Sequence, residues 1–233
     1  YSSLIYKISS LYSTSVEIIL KESSVLLEQV DISVPLNQNL QRIDILTNPV
    51  QNSQELLRKV PGLFIAQHAG GGKAEQMFLR GFDMDHGTDI NVSVDHLLPV
   101  NMPSHAHGQG YSDLHFVIPE TVSNIEYDKG SYNASKGNFA TAGYVDFVLK
   151  DHLSENSIVV EAGKFRWNRL AALIKLMDKP KNNSFIAAEY TNADGYFENP
   201  QGFEKINILV KDNFTLNNKS GIKWSGSFFN SHW

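Results

Sequence analysis

The sequence has no cysteine, which excludes disulfides, thiolate metal sites and cysteine nucleophiles together. It also has no block rich in lysine and arginine, and its formal net charge of -5 offers no field that would attract a polyanion. Nucleic acid is therefore excluded as a partner. Long apolar runs are missing too: the longest is of the kind LAALI at 170–174, far short of the roughly 20 residues of a membrane-spanning helix. A spanning helix is excluded, whereas membrane-spanning strands stay open.

The N-terminal stretch YSSLIYKISSLYSTSVEIILKE mixes serines and charges into its apolar positions. It therefore lacks the basic, apolar and small-residue regions of a secretory signal. We expect either that a signal has been removed or that the sequence begins downstream of one. What is present is a chain of 233 residues, 42% hydrophobic and 19% charged, which is typical of a folded protein with a sizeable core.

Short strands and polar turns dominate the first two thirds of the chain. Two β-rich pieces, VEIIL and VDISV, lie within residues 13–34 and stop at Pro35. SQELLRKVPG at 53–62 predicts a short helix with Ser53 as its N-cap and a Pro-Gly stop. Further strands are predicted at LFIAQ (63–67), MFLRGF (77–82), INVSVD (90–95) and SNIEYDKG (123–130).

From about residue 156 the pattern changes to apolar segments separated by polar turn signals. In one of them Ile206, Ile208 and Val210 alternate with Asn207 and Lys211. A period of two predicts an antiparallel sheet with one wet face and one apolar face. Both a soluble sandwich and the wall of a membrane barrel have such sheets. The five predicted strands are IVVEAGKF, RLAALIKLMD, SFIAAEYTNA, FEKINILVKDNFTL and GIKWSGSFF.

Five short motifs occur in a fixed order along about residues 30–152. They are Val60-Pro61-Gly62, Leu79-Arg80-Gly81, Val94-Asp95 with Pro99-Val100, Ile125-Glu126 with Lys129-Gly130, and Ala140-Thr141-Ala142-Gly143-Tyr144-Val145. Each motif alone is common, but the ordered set resembles the plug domain of a TonB-dependent outer-membrane receptor. The resemblance therefore covers the middle of the chain and is specific as a set.

Three stretches depart from that receptor pattern. His96-Leu97-Leu98 stands where one glycine and one apolar residue are usual, and Asp146 stands where asparagine is more usual. The third departure is the stretch 131–137, SYNASKG, which replaces the commoner Gly-Pro-x-Ser-x-x-Tyr-Gly. These departures concern local loop shape and leave the expected fold unchanged.

The resemblance implies an α+β plug domain, a small mixed sheet with short helices, followed by the first antiparallel strands of a transmembrane β-barrel. Such receptors have roughly 22 strands, and five strands are fewer than the roughly eight of the smallest closed barrel. The barrel is therefore expected to be incomplete in this sequence. We expect the plug at residues 25–152 and the first barrel strands at 153–233. Residues 1–24 are similar to the end of a carboxypeptidase-regulatory-like β domain of Bacteroidota receptors, with an N-terminal extension as the alternative.

The resemblance further implies an importer in the outer membrane of a Gram-negative bacterium, which is not an enzyme and has no cofactor. Its implied partners are the periplasmic energy-coupling protein TonB, outer-membrane lipid, a small extracellular ligand and a surface lipoprotein. The TonB box would be the extended segment Val30, Asp31, Ile32, Ser33 and Val34, which would add to TonB as a strand. An ordinary first strand of the plug is the alternative reading of that segment.

By the same resemblance, three polar loops at 68–75, 83–89 and 101–113 correspond to the outward-facing plug loops that help to form the ligand site in such receptors. Imidazole, carboxylate and thioether groups together suit a borderline divalent metal, so His105 and His107 of PSHAHGQGYS are candidate metal ligands. A solvated loop is the alternative for the His-x-His pair. The predicted ligand-binding residues are His68, Asp83, Asp85, His86, Met102, His105, His107 and Tyr111.

The resemblance also assigns Arg80 to the interface between plug and barrel, as a buried charge paired with carboxylates of the barrel wall. Glu126 and Lys129 are predicted to belong to the same interface. The expected cargo is a metal or a metal chelate, with a glycan or a peptide as the alternative. A soluble β-rich binding module that shares the plug pattern is the competing hypothesis from another class of protein.

Overall fold

The computed structural model describes residues 38–40, 50, 52–67, 71–73, 75–84, 89–100, 113–138, 140–217 and 219–233. The β-rich pieces at 13–34 and the predicted TonB box lie outside the described residues. Within the described part the chain folds into two small sheets followed by one large sheet.

A mixed five-stranded sheet lies at the centre of the first part, as the plug prediction requires. Its strand order is β1-β7-β8-β5-β6, and β5 and β8 pair in parallel while the other neighbours are antiparallel. Both faces of β8 are buried, which explains its nearly continuous apolar sequence. The strands are β1 (Gln38–Leu40), β5 (Ile90–Val94), β6 (Leu98–Pro99), β7 (Val122–Lys129) and β8 (Gly143–Leu149).

A second, antiparallel sheet consists of β2 (Leu63–Gln67), β3 (Glu75–Leu79) and β4 (Phe82–Met84). The prediction of one strand over 77–82 is wrong, because the chain reverses between β3 and β4. Leu79 pairs with Phe82, and the two residues between them have φ of 55° (Arg80) and 82° (Gly81). A two-residue hairpin turn of type I′ needs positive φ at both positions. The Leu-Arg-Gly motif therefore encodes this turn.

The helices of the described residues are short 3₁₀ segments at Ser53–Lys59, Pro119–Thr121 and Ala134–Lys136. The predicted helix at 53–62 is present but ends at Lys59, and its N-cap is Asn52, not Ser53. The Asn52 side chain accepts a hydrogen bond from the Glu55 amide, whereas Ser53 donates its hydroxyl to the Leu114 carbonyl. In the part of the chain that the structure describes, none of the helices has the length and apolarity to cross a membrane.

The late part of the chain forms a five-stranded antiparallel sheet in the order β13-β12-β11-β10-β9, which confirms the five predicted strands. Each strand pairs with its sequence neighbour, as short turns between strands require. The strands are β9 (Ser157–Ala162), β10 (Asn168–Lys179), β11 (Asn182–Ala193), β12 (Phe203–Asn217) and β13 (Ser220–His232). We call this sheet the wall and the two preceding sheets the plug.

The two faces of the wall differ sharply in composition. On one face, which we call the outer face, apolar side chains are exposed in every strand, including Val160, Ile174, Tyr190, Ile206 and Trp224. The other face packs on the plug, and Leu173, Phe185, Ala187 and Leu209 from it join the core of the plug sheets. A period of two along each strand produces this division. The core of the described chain is therefore shared between plug and wall.

Candidate functional site

The three polar segments predicted to form the ligand site leave the plug at one common end. Segment 68–74 connects β2 to its antiparallel neighbour β3, and segment 85–89 leaves β4 at the end where β3 begins. Segment 85–89 then leads into the start of β5, and segment 101–112 leaves β6 at that same end of β5. The sequence left the placement of these segments open, and the strand topology places their flanking strand ends together.

Most of the individual residues predicted for this ligand site lie outside the described residues. His68, Asp85, His86, Met102, His105, His107 and Tyr111 are all in this group, so the metal role of His105 and His107 stays a prediction. Asp83 is described as a backbone position in β4.

The described part of the triple-glycine segment, residues 71–73, contacts the wall. The Gly71 amide donates to Oε1 of Gln201 at 3.1 Å, and a Cβ at Gly71 would lie 3.1 Å from Cβ of Phe203. A Cβ at Gly72 would lie 1.9 Å from Cδ1 of Trp233, so any larger residue there would displace the Trp233 ring. The two glycines thus allow close approach between this segment and the wall, and the segment is not a phosphate loop.

The strongest polar contact between plug and wall is made by Arg169 of β10. Its guanidinium donates through Nη1 and Nη2 to both carboxylate oxygens of Glu120 in the plug, at 2.7 and 2.6 Å. Its Nε donates to Oε1 of Glu189 on β11 at 2.6 Å, and Glu161 on β9 lies 3.3 Å away. A guanidinium paired in this bidentate manner is fixed in orientation as well as neutralised.

A second group of contacts continues from Glu189 into the plug. Lys205 Nζ lies 3.2 Å from Oε2 of Glu189, and Asn207 donates to the same oxygen at 2.8 Å and to the His115 carbonyl at 2.7 Å. The His115 ring is buried, with Nδ1 2.7 Å from Oδ1 of Asp113. The wall groups in this cluster are almost fully buried, so each depends on its partners for the hydrogen bonds lost from water.

A third contact ties the C-terminal ends of β5 and β8, and the linker after β8, to β12 and β13. Lys211 Nζ lies 2.5 Å from Oδ2 of Asp95 and 3.3 Å from Oδ1 of Asp151, and it donates to the Leu149 carbonyl at 3.4 Å. Lys223 pairs with the other oxygen of Asp151. The plug therefore presents carboxylates, and the wall presents cations, at this contact.

Two of the plug carboxylates have pKa values below the usual range. Burial alone would raise the pKa of Asp113, but the hydrogen bond and charge of His115 outweigh it. At Asp151 burial again opposes ionisation, and the hydrogen bond from Lys223 with the nearby charge of Lys211 lowers the pKa. Both carboxylates are therefore ionised at neutral pH, and each binds its partner as a carboxylate anion.

The residues predicted for this interface have other surroundings within the described chain. Arg80 is exposed in the β3–β4 turn of the described chain, and its pairing with carboxylates of the barrel wall stays a prediction. Glu126 Oε2 lies 3.9 Å from Nδ1 of His96 in the plug. Lys129 Nζ lies beside Gly62, where a Cβ would be 3.3 Å away. In the described chain the contact with the wall is made instead by Asp95, Glu120, His115, Asp151, Arg169, Lys205, Asn207 and Lys211.

A plug covered by the polar face of an antiparallel sheet, whose other face is apolar and exposed, defines a class of outer-membrane receptor fold. Comparison with known proteins agrees: residues 29–144 match the model of the TonB-dependent Receptor Plug Domain. The vitamin B12 transporter BtuB of Vibrio cholerae serotype O1 is 27% identical over 133 residues, which are 57% of this chain and 20% of the transporter.

Solved structures of receptors share the fold. The pyoverdine outer membrane receptor FpvA from Pseudomonas aeruginosa PAO1 matches 83% of this chain and 27% of its own, with a TM-score of 0.63 at 14% identity. The ferric citrate transporter FecA matches 84% and 31%, with a TM-score of 0.66 at 14% identity. The copper transporter OprC matches 84% and 30%, with a TM-score of 0.64 at 18% identity.

The chain belongs to the TonB-dependent receptors. It carries the plug domain and five antiparallel strands of the outer-membrane barrel, which confirms the fold predicted from the five motifs. It spans about a fifth of the length of the vitamin B12 transporter that it matches (20%). A Bacteroidota origin stays a prediction.

Proposed function

We propose that the full-length protein binds an extracellular nutrient and imports it into the periplasm with energy coupled through TonB. One observation carries the proposal: the wall presents an apolar face outward, while its other face covers the plug and carries the buried polar side chains Arg169, Glu189, Lys205, Asn207 and Lys211. A lipid-facing apolar band over a polar lumen is the pattern of a membrane barrel. A soluble β-rich module would instead need to cover that apolar face.

The ionic contact between plug and wall suits a plug that must loosen for transport. Removing one partner of a buried ion pair is costly, but a group of ions can exchange its partners for water when the plug moves. The pairs of Arg169 with Glu120 and of Lys211 with Asp95 are therefore the contacts that opening would break.

For the cargo we propose a metal ion or a metal chelate, with a glycan or a peptide as the alternative. The support is the shared end of the three polar segments, together with their imidazole, carboxylate and thioether side chains. Relatives of the same fold include a copper transporter and a ferric citrate transporter. His105 and His107 are the proposed metal ligands.

For energy coupling we propose that Val30–Val34 is the TonB box and binds TonB by strand addition. The support is the position of this segment just before β1, which is the edge strand of the mixed sheet. The surface lipoprotein partner and the outer-membrane lipid that surrounds the wall belong to the same proposal.

Two experiments test the function and the cargo separately. The protein should fractionate with the outer membrane, and a deletion strain should lose growth on one limiting nutrient; unchanged growth on all candidate nutrients would contradict import. Calorimetric titration of the full-length protein with Zn²⁺, Cu²⁺ and ferric chelates should show binding that is lost in His105→Ala and His107→Ala. Equal binding before and after these substitutions would exclude the two histidines as ligands.

A further inference from the structure

Two departures of the sequence from the receptor pattern meet in space. His96 stands in the turn after β5, where the pattern has glycine, and Asp146 stands on β8, where asparagine is more usual. Nδ1 of His96 lies 2.5 Å from Oδ2 of Asp146, and the His96 amide donates to Oδ1 at 3.1 Å. Two unusual residues that lie 50 positions apart in the sequence thus contact each other.

Glu126 is the third member of this cluster. It faces Asp146 directly across the antiparallel pair of β7 and β8, so both side chains project from the same face of the sheet. Oε2 of Glu126 lies 3.9 Å from Nδ1 of His96. One ligand atom from each of the three residues lies within 4.8 Å of the other two. In a tetrahedral zinc site with bonds of about 2.0–2.1 Å the ligand atoms are roughly 3.3 Å apart, which requires only small side-chain movements here.

A cation already contacts one member of the cluster. Nζ of Lys136 lies 2.9 Å from Oδ2 of Asp146, the same oxygen that contacts His96. Asp146 is fully buried, so its charge requires a cation within bonding distance. The ammonium also lies 4.5 Å above the Tyr144 ring. With Lys136 present, two carboxylates still face a single fixed positive charge.

We propose that His96, Glu126 and Asp146 bind a divalent transition-metal ion of the zinc class, which displaces the Lys136 ammonium from Asp146. One imidazole with two carboxylates is a donor set that suits zinc and its neighbours, and a divalent ion balances both carboxylates. Among the described residues this is the single group of three such side chains with converging ligand atoms. The site is distinct from the cargo site, because it lies after the C-terminal end of β5, opposite to the end where the three polar segments leave the plug.

The backbone supplies a well-matched variant for testing the site. His96 has a φ of 62° and follows Asp95 with 55°, and the Leu97 amide donates to the Val94 carbonyl to close the turn. Glycine adopts this conformation more readily than histidine. His96→Gly therefore removes the ligand while it relaxes the turn, and loss of metal binding in this variant does not result from misfolding.

The experiment is a calorimetric Zn²⁺ titration of the metal-free, full-length protein in which His105 and His107 are both replaced by alanine. This background should still bind Zn²⁺ through His96, Glu126 and Asp146. His96→Gly should weaken that site by at least about 100-fold, because changes around metal ligands alone weaken binding by about 10- to 100-fold. Lys136→Met should tighten it by about 10-fold or more, since the internal competitor is gone, and Lys136→Gln serves if the methionine variant does not fold.

Unchanged Zn²⁺ affinity in His96→Gly would overturn the proposal, as would Lys136 variants that bind no more tightly than the background. Absence of Zn²⁺ binding in the background protein would overturn it as well. Because the proposed cargo ligands His105 and His107 are absent from every variant, a difference between the background and its His96 and Lys136 variants does not depend on them. A result that contradicts metal import would therefore not contradict the proposed site, and a result that contradicts the site would not contradict import.

Discussion

The plug and the wall bury their side chains in different ways. On β8 of the plug nearly every residue is buried, because the strand is covered on both faces. On β12 of the wall, buried and exposed residues alternate, with Lys205 and Lys211 buried while Ile206 and Phe214 are exposed. The usual arrangement of apolar inside and polar outside is thus reversed in the wall, which is expected where lipid is the outer solvent.

In the ion pairs that join the two regions, the carboxylates lie in the plug and the cations lie in the wall. The plug contributes Asp95, Glu120 and Asp151, whereas the wall contributes Arg169, Lys211 and Lys223. Such ion pairs align the plug with the wall. The stability of the contact depends on each buried charge keeping its partner. Four substitutions test this difference, in the order of their expected effects.

Arg169→Leu should have the largest effect, about 3–5 kcal/mol in the free energy of unfolding, because it leaves Glu120 and Glu189 without their main partner. Urea titration of the full-length protein in detergent micelles measures this change. Arg166→Leu is the matched control: its side chain is 62% exposed and lies 3.5 Å from Asp194, so it should cost under about 1 kcal/mol. Equal losses in the two variants would contradict the interface.

Ile174→Arg on the outer face of β10 should destabilise the folded protein in lipid by about 2–4 kcal/mol, since a cation near the bilayer midplane loses its hydration. The yield of folded protein in phospholipid vesicles, read from heat modifiability on gels, reports the effect. Tyr132→Arg, an exposed position of the plug, should leave the yield unchanged. If Ile174→Arg folds as well as Tyr132→Arg, the outer face does not contact lipid.

Lys211→Met should cost about 2–3 kcal/mol, because both Asp95 and Asp151 lose a buried ammonium group. Lys223→Met provides the comparison, since it removes a lysine that binds the same Asp151 from the same wall. The side chain of Lys211 is 2% exposed and that of Lys223 is 63% exposed, so the second change should cost under about 1 kcal/mol. The same urea titration should separate the two, and a larger loss for Lys223→Met would refute the assignment.

The smallest effect is expected from pH. The pKa of Asp151 is lower in the folded state than its ordinary value, so the ionised group stabilises the fold at every pH above the unfolded-state value of about 3.9. This contribution is lost as the pH falls below that value and through the lower folded-state pKa. Asp151→Asn should therefore reduce the dependence of unfolding free energy on pH between about 5 and 2. An unaltered acid transition in this variant would show that Asp151 carries no such contribution.

The sequence predicted the strands well because period and turn chemistry are local. The alternation of Ile206, Ile208 and Val210 with Asn207 and Lys211 already separated the two faces of β12. The break within MFLRGF was missed because Leu79-Arg80-Gly81 was interpreted as the end of a strand, although Gly81 is the residue that a primed hairpin turn favours.

The plug–wall contacts could not be predicted because each pair joins residues far apart in the chain. Glu120 and Arg169 are 49 positions apart, and Asp95 and Lys211 are 116 apart. The sequence did carry one indication of these contacts. Because side chains alternate between the two faces of a strand, Lys205 and Lys211 lie on the buried face of β12, where a cation needs a carboxylate partner. The meeting of His96 with Asp146 likewise depends on the parallel pairing of β5 and β8, which no local pattern encodes.

The central claim is that the wall separates lipid on one face from the plug on the other, and a nitroxide scan along β12 tests it most directly. Single cysteines at 206 to 211 are feasible because these 233 residues contain no native cysteine. In liposomes holding the full-length protein, labels at Ile206, Ile208 and Val210 should be accessible to oxygen dissolved in lipid, and those at Asn207, Leu209 and Lys211 should not. Equal access of a water-soluble nickel chelate to the first three positions would contradict the account.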